Sequence, residues 1–429
     1  MTLPDEFLRR MQGQLGGGYA AYLQAMTQPP PRALRVNTLK TGVEPFLEHI
    51  GIPLMPTGVL PESFFVPADF RPAQSLPHRA GHCYMQDPSA LLPAAALEPQ
   101  PGMAVLDLCA APGGKATQIA AAMRNTGLLV ANEPVLKRAR VLESNLERLG
   151  VTNTIVTCMP PDRLCALLHN RFDAVLADAP CSGEGMFRKD ATAVRDWSLA
   201  HVRACAARQT AILDAAALAL RPGGRLVYAT CTFSPEENEG VVSAFIAAHP
   251  DFSLGLTNRV YPHESEGEGQ FYARLERAGS AESALRPTAM QGVPLWEAFA
   301  REYLPALPPR PSALLPDGRV YLPPPQSLPH TDRLHILRAG VPAGEILHER
   351  FLPSHALAMA FPNAFRQHAA LSTDGIAAYL NGESIACDPA LSGWCAVEYG
   401  GLAVGLGKAV DGMLKNHLPK GLRGGVLIR

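Results

Sequence analysis

The stretch that decides the fold is MAVLDLCAAPGGKATQIAAAMR, residues 103–124. A short apolar run ends on Cys109, a turn with two glycines follows, and a run of good helix formers begins at Lys115. Short apolar runs bounded by turn residues indicate buried strands, and alanine-rich runs indicate helices. The stretch therefore predicts a strand, a tight turn and a helix in direct succession.

The same alternation continues on the carboxyl side of this stretch. Four more strands are expected at GLLVAN (127–132), NTIVTC (153–158), FDAVLADA (172–179) and RLVYAT (225–230), and two closing strands at FSLGL (252–256) and QFYARLER (270–277). Helical patterns lie between them at residues 135–150 and 201–220. Strands that alternate with helices predict an α/β domain with a doubly wound parallel sheet.

Residues 286–325 change character because they are crowded with prolines. Prolines oppose regular structure and stiffen a connection, so an irregular linker is expected there. The residues beyond it form short segments punctuated by glycine and proline, such as RLHILRAGVPAGEIL (333–347). They predict a small mixed α/β module. A chain of 429 residues is long enough for two or three domains.

Composition fits a globular protein, with 47% hydrophobic and 18% charged residues. No apolar run of about 18 residues is present, so no membrane span is expected. The amino terminus, MTLPDEFLRRMQGQ, has acids and arginines where a secretory signal has an apolar stretch. We therefore expect a cytoplasmic protein, and a monomer.

The cysteine pattern argues against a metal centre or a disulfide framework. No pair has C-x-x-C spacing, and the number of cysteines is odd. Reduced thiols, either buried or catalytic, and no bound metal are expected. The nine cysteines are at positions 83, 109, 158, 165, 181, 205, 231, 387 and 395.

Net charge is −1, which gives no overall signal for nucleic-acid binding. Locally, the last 29 residues hold five basic side chains against the single acid Asp411: Lys408, Lys415, Lys420, Arg423 and Arg429. A contact with a polyanion and an ordinary solvated tail are both open interpretations of this cluster.

The glycine turn predicts a ligand site, because ligands of α/β sheets bind beyond the carboxyl ends of the strands. Neither G-x-G-x-x-G nor G-x-x-x-x-G-K-[ST] is present, so a pyrophosphate cradle is not supported. Glu133 ends the second strand, where a carboxylate can accept hydrogen bonds from both ribose hydroxyls. A nucleoside without phosphates, as in S-adenosylmethionine, fits this pattern. A plain helix-start acid is the alternative for Glu133.

Two thiols and a carboxylate, Cys181, Cys231 and Asp178, follow neighbouring strands at the same edge of the sheet. A buried cysteine is usually inert, as we expect of Cys158, Cys165 and Cys205. A thiol beside a methyl donor has a specific use, since C5 of a pyrimidine is too weak a nucleophile to be methylated unaided. Addition of a thiolate at C6 makes C5 reactive.

The chain resembles the Nol1/Nop2/Sun family of RNA cytosine-5 methyltransferases, and within it the bacterial 16S rRNA methyltransferase F type. The resemblance covers nearly the whole chain, and the pair DAPCSGEG and TCTFSPEENE is highly specific. The matching stretches are ALRVNTLK (33–40), YMQDPSALLP (84–93), LDLCAAPGGKATQIA (106–120), LADAPCSGEGMFRKD (176–190), YATCTFSPEENEGVV (228–242) and LKNHLPKGLR (414–423).

The resemblance implies a division of labour between the thiols. Cys231, in the T-C-T motif, attacks C6, and Cys181, in the A-P-C motif, assists removal of the C5 proton and release. Asp178 contacts the N3 edge of cytosine, where it must share or donate a proton. Lys115 favours a thiolate or contacts the RNA, with a plain helix-start lysine as the alternative.

The resemblance also implies an S-adenosylmethionine site. Family members carry an acid for the adenine amino group after the third strand, but this chain has Pro160 there. Asp162, two residues on, is expected to substitute for that acid, with backbone groups as the alternative. The residues expected to hold the cofactor are Cys109, Ala110, Ala111, Pro112, Gly113, Gly114, Lys115, Glu133, Asp162 and Asp178.

The expected organisation has four parts: an N-terminal α+β RNA-binding segment (1–95), a Rossmann-like methyltransferase domain (96–285), a proline-rich linker (286–316) and a C-terminal PUA-like RNA-binding module (317–429). The expected partner is 16S rRNA or the small ribosomal subunit. Phosphates could be held by Arg32, Arg35 and Lys40 and by the basic C-terminal cluster. His263 is expected either to contact RNA or to lie in a surface loop.

Three alternatives stay open at this stage. The same chemistry could act on tRNA, or the chain could be a ribosome-assembly factor that binds RNA without catalysis. The intact Asp178, Cys181 and Cys231 argue against the second of these. A nicotinamide oxidoreductase is disfavoured because its dinucleotide fingerprint is absent and the thiols would have no use.

Overall fold

The N-terminal part contains five helices and a small antiparallel sheet. The structure, a computed structural model, describes residues 3–281, 285–289, 292–308 and 310–424. The four strands of the N-terminal sheet pair in the order β2-β3-β1-β4. The elements are α1 (Asp5–Leu15), α2 (Tyr19–Thr27), β1 (Ala33–Val36), α3 (Val43–Ile50), β2 (Met55–Pro56), β3 (Ser63–Phe65), α4 (Leu76–Arg79), β4 (Cys83–Met85) and α5 (Leu92–Ala96).

The centre of the molecule is an α/β sheet, as the sequence predicts. All five strands predicted from residue 103 to residue 230 are present, and they run parallel to one another. The central elements are β5 (Ala104–Asp107), α6 (Gly114–Ala122), β6 (Leu128–Asn132), α7 (Leu136–Arg148), β7 (Thr154–Thr157), α8 (Pro161–Leu167), β8 (Phe172–Asp178), α9 (Ala191–Asp196), α10 (Leu199–Ala219), β9 (Leu220–Thr230), α11 (Glu239–Ala248), β10 (Phe252–Val260) and β11 (Gln270–Arg277).

Helices cover both faces of this sheet. Leu213 of α10 and Phe245 of α11 pack on one face, while Ile119 of α6 and Leu142 of α7 pack on the other. All four side chains are buried because the parallel strands between them are apolar on both faces. Gly150 follows the end of α7 with a φ of +71°, the left-handed conformation that helix ends favour.

The strand order places a ligand crevice at one point of the sheet. The central strands pair as β10-β11-β9-β8-β5-β6-β7, so the chain runs from β5 to β6 and β7 on one side and then returns to β8 on the other. Crevices open where the order reverses, beyond the carboxyl ends of β5 and β8. The glycine turn and the first thiol loop both begin at this point.

The C-terminal part forms two further sheets and also completes the central one. Its elements are β12 (Arg286–Pro287), α12 (Pro294–Tyr303), β13 (Ala313–Leu314), β14 (Arg319–Leu322), β15 (Gln326–Ser327), β16 (Ile336–Ala339), β17 (Val341–Leu347), β18 (Arg350–Pro353), α13 (His355–Ala360), β19 (His368–Ala370), α14 (Thr373–Leu380), β20 (Ile385–Ala386), β21 (Gly393–Tyr399), β22 (Leu402–Val410) and β23 (Met413–Asn416). Strand β16 pairs antiparallel with β7, a contact that the sequence pattern did not predict.

The expectation of irregular structure throughout residues 286–325 is wrong. Pro294 occupies the first turn of α12, where proline costs no hydrogen bond, and the helix buries Trp296 and Phe299. These two rings pack with Phe351 of β18. An amphipathic pattern therefore forms a helix here despite the prolines on either side of it.

Within the described residues, no helix is both long enough and apolar enough to cross a bilayer. The same part of the chain contains no group of three or more His, Cys, Asp or Glu side chains arranged to hold a metal ion.

Candidate active site

A cavity of about 780 Å³ opens at the predicted crevice. A smaller one of about 200 Å³ adjoins it and shares six of its lining residues, among them Lys115 and Asp178. Together the two cavities collect all but two of the predicted site residues, Gly113 and Asp162. The predicted residues that line them are Cys109, Ala110, Ala111, Pro112, Gly114, Lys115, Glu133, Asp178, Cys181 and Cys231.

The two thiols are neighbours in the larger cavity. The Sγ atoms of Cys181 and Cys231 lie 3.3 Å apart, which is hydrogen-bonding distance for sulfur and much longer than a disulfide bond. Hydrogen bonding to Cys231 and burial raise the pKa of the Cys181 thiol well above its ordinary value. Cys181 therefore keeps its proton and can donate it toward Cys231.

The backbone fixes the loop of Cys181 against the loop of Cys231. The Ala179 amide donates to the Ala229 carbonyl at 2.9 Å, and the Gly185 amide donates to the Cys231 carbonyl at 2.8 Å. A Cβ atom at Gly185 would lie 2.9 Å from that carbonyl oxygen, so no larger residue fits at this crossing. The distance between the thiols is thus set by hydrogen bonds between the two loops.

A buried carboxylate that the sequence analysis missed, Glu184, supports the same arrangement. Its side chain accepts hydrogen bonds from the Phe233 amide, the Trp197 indole and the Ser234 hydroxyl, at 2.8, 2.9 and 2.7 Å. Glu184 belongs to the Cys181 loop, whereas Phe233 and Ser234 follow Cys231. The acid within the motif CSGEG was the available signal, but it gave no indication of its partners.

Lys115 and Asp178 form an ion pair at the border of the two cavities. Lys115 Nζ lies 2.8 Å from Asp178 Oδ2. Burial opposes the charge on Lys115, but the Asp178 carboxylate outweighs it and raises the pKa of this lysine. The first turn of α6 thus places a permanent cation beside the thiols and their neighbouring carboxylate.

Two further acidic side chains, Asp107 and Glu133, lie at the ends of strands β5 and β6. Asp107, which the sequence analysis did not single out, is 1% exposed, and neither of its carboxylate oxygens has a hydrogen-bond partner among the described residues. Burial and the nearby Asp178 raise the pKa of Asp107 to about 8. An acid that ends a buried apolar strand just before a glycine turn was the signal that could have found it.

Glu133 ends β6 at the rim of the larger cavity and is 1% exposed. Oε1 accepts a hydrogen bond from the Val135 amide at 3.0 Å, and Oε2 lies 3.3 Å from Arg138 Nη1. Val135 lines the same cavity with half of its surface exposed, an apolar side chain beside an acid. The acid is therefore both a helix-start residue and part of the cavity wall.

Close packing inside the protein, as well as the cavity, requires glycine in this turn. Gly113 has a φ of +114°, and a Cβ atom there would lie 3.2 Å from Leu142. A Cβ atom at Gly114 would lie 3.1 Å from the Tyr84 ring. Gly113 is needed for its backbone conformation and contact with α7, and it does not line either cavity.

Asp162 does not join the other predicted residues. It lies exposed in the first turn of α8 and lines neither cavity. Its proposed contact with adenine therefore has no support from the geometry and stays a prediction.

The expected phosphate contacts in the N-terminal part are wrong for Arg35 and Lys40. Arg35 is 1% exposed, and its guanidinium donates to Gln86 and Thr117 inside the protein. The Lys40 ammonium donates to the Ala80 and Arg148 carbonyls at 2.8 and 3.0 Å. Both cations hold the N-terminal sheet against the central domain.

Arg32 and His263 are also held within the protein. The Arg32 guanidinium donates to the Ala68 and Phe70 carbonyls. The His263 side chain is only 9% exposed and packs against the rings of Tyr22 and Tyr261. The expectation that it is a surface-loop residue is therefore wrong. Neither residue lines the active-site cavities.

The basic C-terminal cluster is accessible in part. Lys408 and Lys415 lie opposite each other on β22 and β23, and Lys415, Lys420 and Arg423 are exposed. Arg429 lies outside the described residues. A polyanion contact by this cluster stays a prediction.

Comparison with known proteins accounts for almost the entire chain. A family model described as 16S rRNA methyltransferase RsmB/F matches residues 94–276. Models of the RsmF N-terminal domain, the RsmF first C-terminal domain and the RsmF PUA domain match residues 3–88, 298–361 and 366–424. The ribosomal RNA small subunit methyltransferase F of Erwinia tasmaniensis is 33% identical over 98% of this chain and 96% of its own length. The chain belongs to the RsmB/F family of 16S rRNA methyltransferases.

Other relatives and solved structures agree with this family. The enzyme of the same name from Cronobacter sakazakii is 39% identical over 68% of this chain and 67% of its own length. A methyltransferase homolog from Pyrococcus horikoshii has a TM-score of 0.56 at 31% identity, covering 64% of this chain and 95% of that one. NSun6 from Pyrococcus horikoshii, solved with SFG, shares the fold at 24% identity, with a TM-score of 0.57 over 65% of this chain and 99% of its own.

Family membership confirms the resemblance, the Rossmann-like core and the PUA-like module predicted from the sequence. The chain is an S-adenosylmethionine-dependent methyltransferase. The domain boundaries drawn at residues 95, 285 and 316 stay predictions, as do the roles of single residues.

Proposed function

We propose that this methyltransferase methylates C5 of cytosine in 16S rRNA, through a covalent bond between Cys231 and C6 of the base. The observation that carries the proposal is the 3.3 Å separation of the Cys181 and Cys231 sulfurs in one cavity with Lys115 and Asp178. Methylation of a nitrogen or oxygen atom needs no thiol. Methylation of C5 in a pyrimidine needs a nucleophile that adds to C6, so a cavity with a thiol pair supports carbon methylation.

The cavity fits S-adenosylmethionine. Its strand-end carboxyl groups have unmet hydrogen-bonding capacity, since neither oxygen of Asp107 has a hydrogen-bond partner among the described residues and Glu133 Oε2 has only the ion pair with Arg138. Ribose hydroxyls and an amino group are donors that such buried acceptors require. Glu133 would hold the ribose, Val135 would pack on the adenine, and Asp107 with the turn after Cys109 would hold the methionine end.

When bound, this cofactor supplies an electrophilic methyl group to C5. The Cys231 thiolate adds its electron pair to C6, and the electrons of the C5–C6 double bond move onto C5 and into the ring. The Lys115–Asp178 pair lines the same cavity, and the Lys115 ammonium can donate a hydrogen bond to the N3 edge, where this charge collects. The nucleophile, the charge-stabilising ion pair and the methyl donor would thus meet in one cavity.

Release reverses the first bond. The proton that remains on C5 passes to solvent water, the electron pair of that C–H bond restores the C5–C6 double bond, and the C6–S bond breaks to return the Cys231 thiolate, toward which the Cys181 thiol can donate a hydrogen bond. Cys181 is adjacent to that sulfur and assists these steps, since its loop is hydrogen-bonded to the loop of Cys231. The base must leave any stack to enter the cavity.

The product tests the proposed reaction. Purified enzyme, labelled S-adenosylmethionine and 16S rRNA are combined, and the RNA is digested to nucleosides for mass spectrometry. We expect labelled 5-methylcytidine from 16S rRNA and a much lower yield from tRNA. Label in another nucleoside would contradict the C5 chemistry. A preference for tRNA would favour the alternative substrate, and binding without turnover would favour an assembly factor.

Glu133→Ala tests the cofactor site separately. Loss of hydrogen bonds from two ribose hydroxyls to a charged acceptor should cost about 3 kcal/mol, or roughly 100-fold in Kd. Calorimetric titration with S-adenosylmethionine measures this directly. Glu143→Gln, partly buried on α7 and paired with Arg140, is the matched control and should bind normally. If the two variants bind S-adenosylmethionine with equal affinity, Glu133 does not contribute to the cofactor site.

A further inference from the structure

The two peptide units that flank Cys181 are both held by one pair of buried side chains. Gln209 of α10 donates from Nε2 to the Pro180 carbonyl at 3.1 Å. Glu237 accepts the Ser182 amide on Oε2 at 2.9 Å. The same Gln209 Nε2 and Glu237 Oε2 lie 2.8 Å apart, so they form a continuous clamp across the turn that carries Cys181.

The clamp is buried and anchored at both ends. Gln209 and Glu237 are each 0% exposed. The Glu237 carbonyl also accepts a hydrogen bond from the Tyr228 hydroxyl at 2.5 Å, which ties the segment after Cys231 to strand β9. A buried carboxylate needs such hydrogen bonds because it has given up its water.

The carboxylate also acts on the thiol through its charge. A negative group beside an ionisable thiol disfavours the thiolate. Four effects raise the pKa of the Cys181 thiol: the hydrogen bond to Cys231, burial, the charge of Cys231 and the charge of Glu237. Among the described residues, Cys231 is bracketed instead by Asn238, which accepts from the Thr230 hydroxyl at 2.6 Å and donates to the Thr232 carbonyl at 3.0 Å. The hydrogen bonds of Glu237 Oε2 go to the turn of Cys181 and to Gln209.

We infer that Gln209 and Glu237 are positioning residues for Cys181: they fix its turn beside Cys231, and the Glu237 charge keeps it in the thiol form. The pair thereby assigns attack to Cys231 and leaves Cys181 for the release step. The inference rests on the proposed function for the roles of the thiols, but the geometry of the clamp does not depend on those roles.

Other charged or titratable groups around Cys181 do not obscure the test. The Lys115 charge is matched by Asp178. Burial raises the pKa of Tyr228 well above its ordinary value, so this phenol stays neutral. Besides Cys231, Glu237 and Tyr228, the charged or titratable side chains that line the same cavity as Cys181 include Asp178, Lys115, His201 and Arg208.

The effect of the Glu237 charge on the Cys181 thiol is tested by alkylation of Cys181, a measurement that does not require methyl transfer. In a Cys231→Ser background, Cys181 is treated with iodoacetamide between pH 7 and 10, and its modification is followed on the tryptic peptide of residues 172–188, which contains no other cysteine. Adding Glu237→Gln, which keeps the shape and a hydrogen-bond acceptor, should move the alkylation profile to lower pH. Glu239→Gln, two residues away and paired with Arg259 on the surface, is the control and should not move it.

An unchanged profile in the Glu237→Gln protein, or an equal shift in the control, would overturn the inference. Bound S-adenosylmethionine, measured by calorimetry, reports whether each variant is folded.

The positioning role is tested by trapping. Gln209→Leu removes the donor to Pro180, so release should slow and a covalent protein–RNA adduct should accumulate, with kcat lowered on the order of 10-fold or more and KM for RNA little changed. A Gln209→Leu enzyme that turns over normally without an adduct would contradict the clamp. If Cys181→Ala also gives no adduct, the proposed function fails instead, and the alkylation profile still decides the effect of Glu237.

Discussion

Cys231→Ala is expected to lose methyl transfer to 16S rRNA by a factor of at least about 10⁴, the scale on which loss of an essential nucleophile acts. The adjacent Cys181 cannot replace it, because hydrogen bonding to Cys231 and burial raise its pKa and its turn is fixed by the clamp. Initial rates with labelled S-adenosylmethionine measure the loss.

Two controls show whether the lost activity is due to misfolding or to a general effect of replacing a cysteine. The Cys231→Ala protein should bind S-adenosylmethionine with unchanged affinity, because the cofactor side of the cavity is formed by Asp107, Glu133 and the glycine turn. Cys387→Ala, a partly exposed thiol of the C-terminal part, is the matched control and should retain full activity. Substantial activity in Cys231→Ala would end the proposal that Cys231 is the nucleophile.

Cys181→Ala is expected to behave in the opposite way, by forming the covalent intermediate and failing to release it. Attack on C6 needs Cys231, which is intact, whereas removal of the C5 proton and elimination lose their adjacent thiol. Turnover should fall by roughly 10² to 10⁴, the usual contribution of a general acid or base. An RNA-shifted protein band that survives denaturing electrophoresis measures the trapped species.

The double variant separates the two roles. Cys181→Ala combined with Cys231→Ala should give no band, because no thiol remains to attack. An adduct that forms in Cys231→Ala but not in Cys181→Ala would reverse the assignment of the two cysteines.

The sequence was sufficient for the central fold because the signals were local. Each parallel strand is a short apolar run, and each ends in a turn residue or a polar side chain that marks the ligand edge. The likeness of DAPCSGEG and TCTFSPEENE to the family motifs then predicted both thiols and Asp178, and the structure brings all three to the larger cavity. The fold and the positions of these three side chains could be predicted here because both depend on short stretches of sequence.

What the sequence did not predict depends on contacts between distant residues. Strand β16 completes the central sheet from a position about 180 residues after β7, and no local pattern specifies that pairing. The clamp on Cys181 joins Gln209 and Glu237, which are 28 residues apart in the chain. Arg35 and Lys40 looked like phosphate ligands because a buried cation that donates to carbonyls has the same sequence signature as an exposed one.

The covalent bond to Cys231 is the central claim, and mapping its position tests that claim most directly. Cys181→Ala is incubated with 16S rRNA and S-adenosylmethionine, digested with nuclease and trypsin, and examined by mass spectrometry. Trypsin releases residues 226–259 as one peptide, whose only cysteine is Cys231. We predict that this peptide carries a methylated cytidine nucleotide on Cys231. A nucleotide on any other residue, or product formed with no nucleotide on Cys231 at any time, would contradict the account.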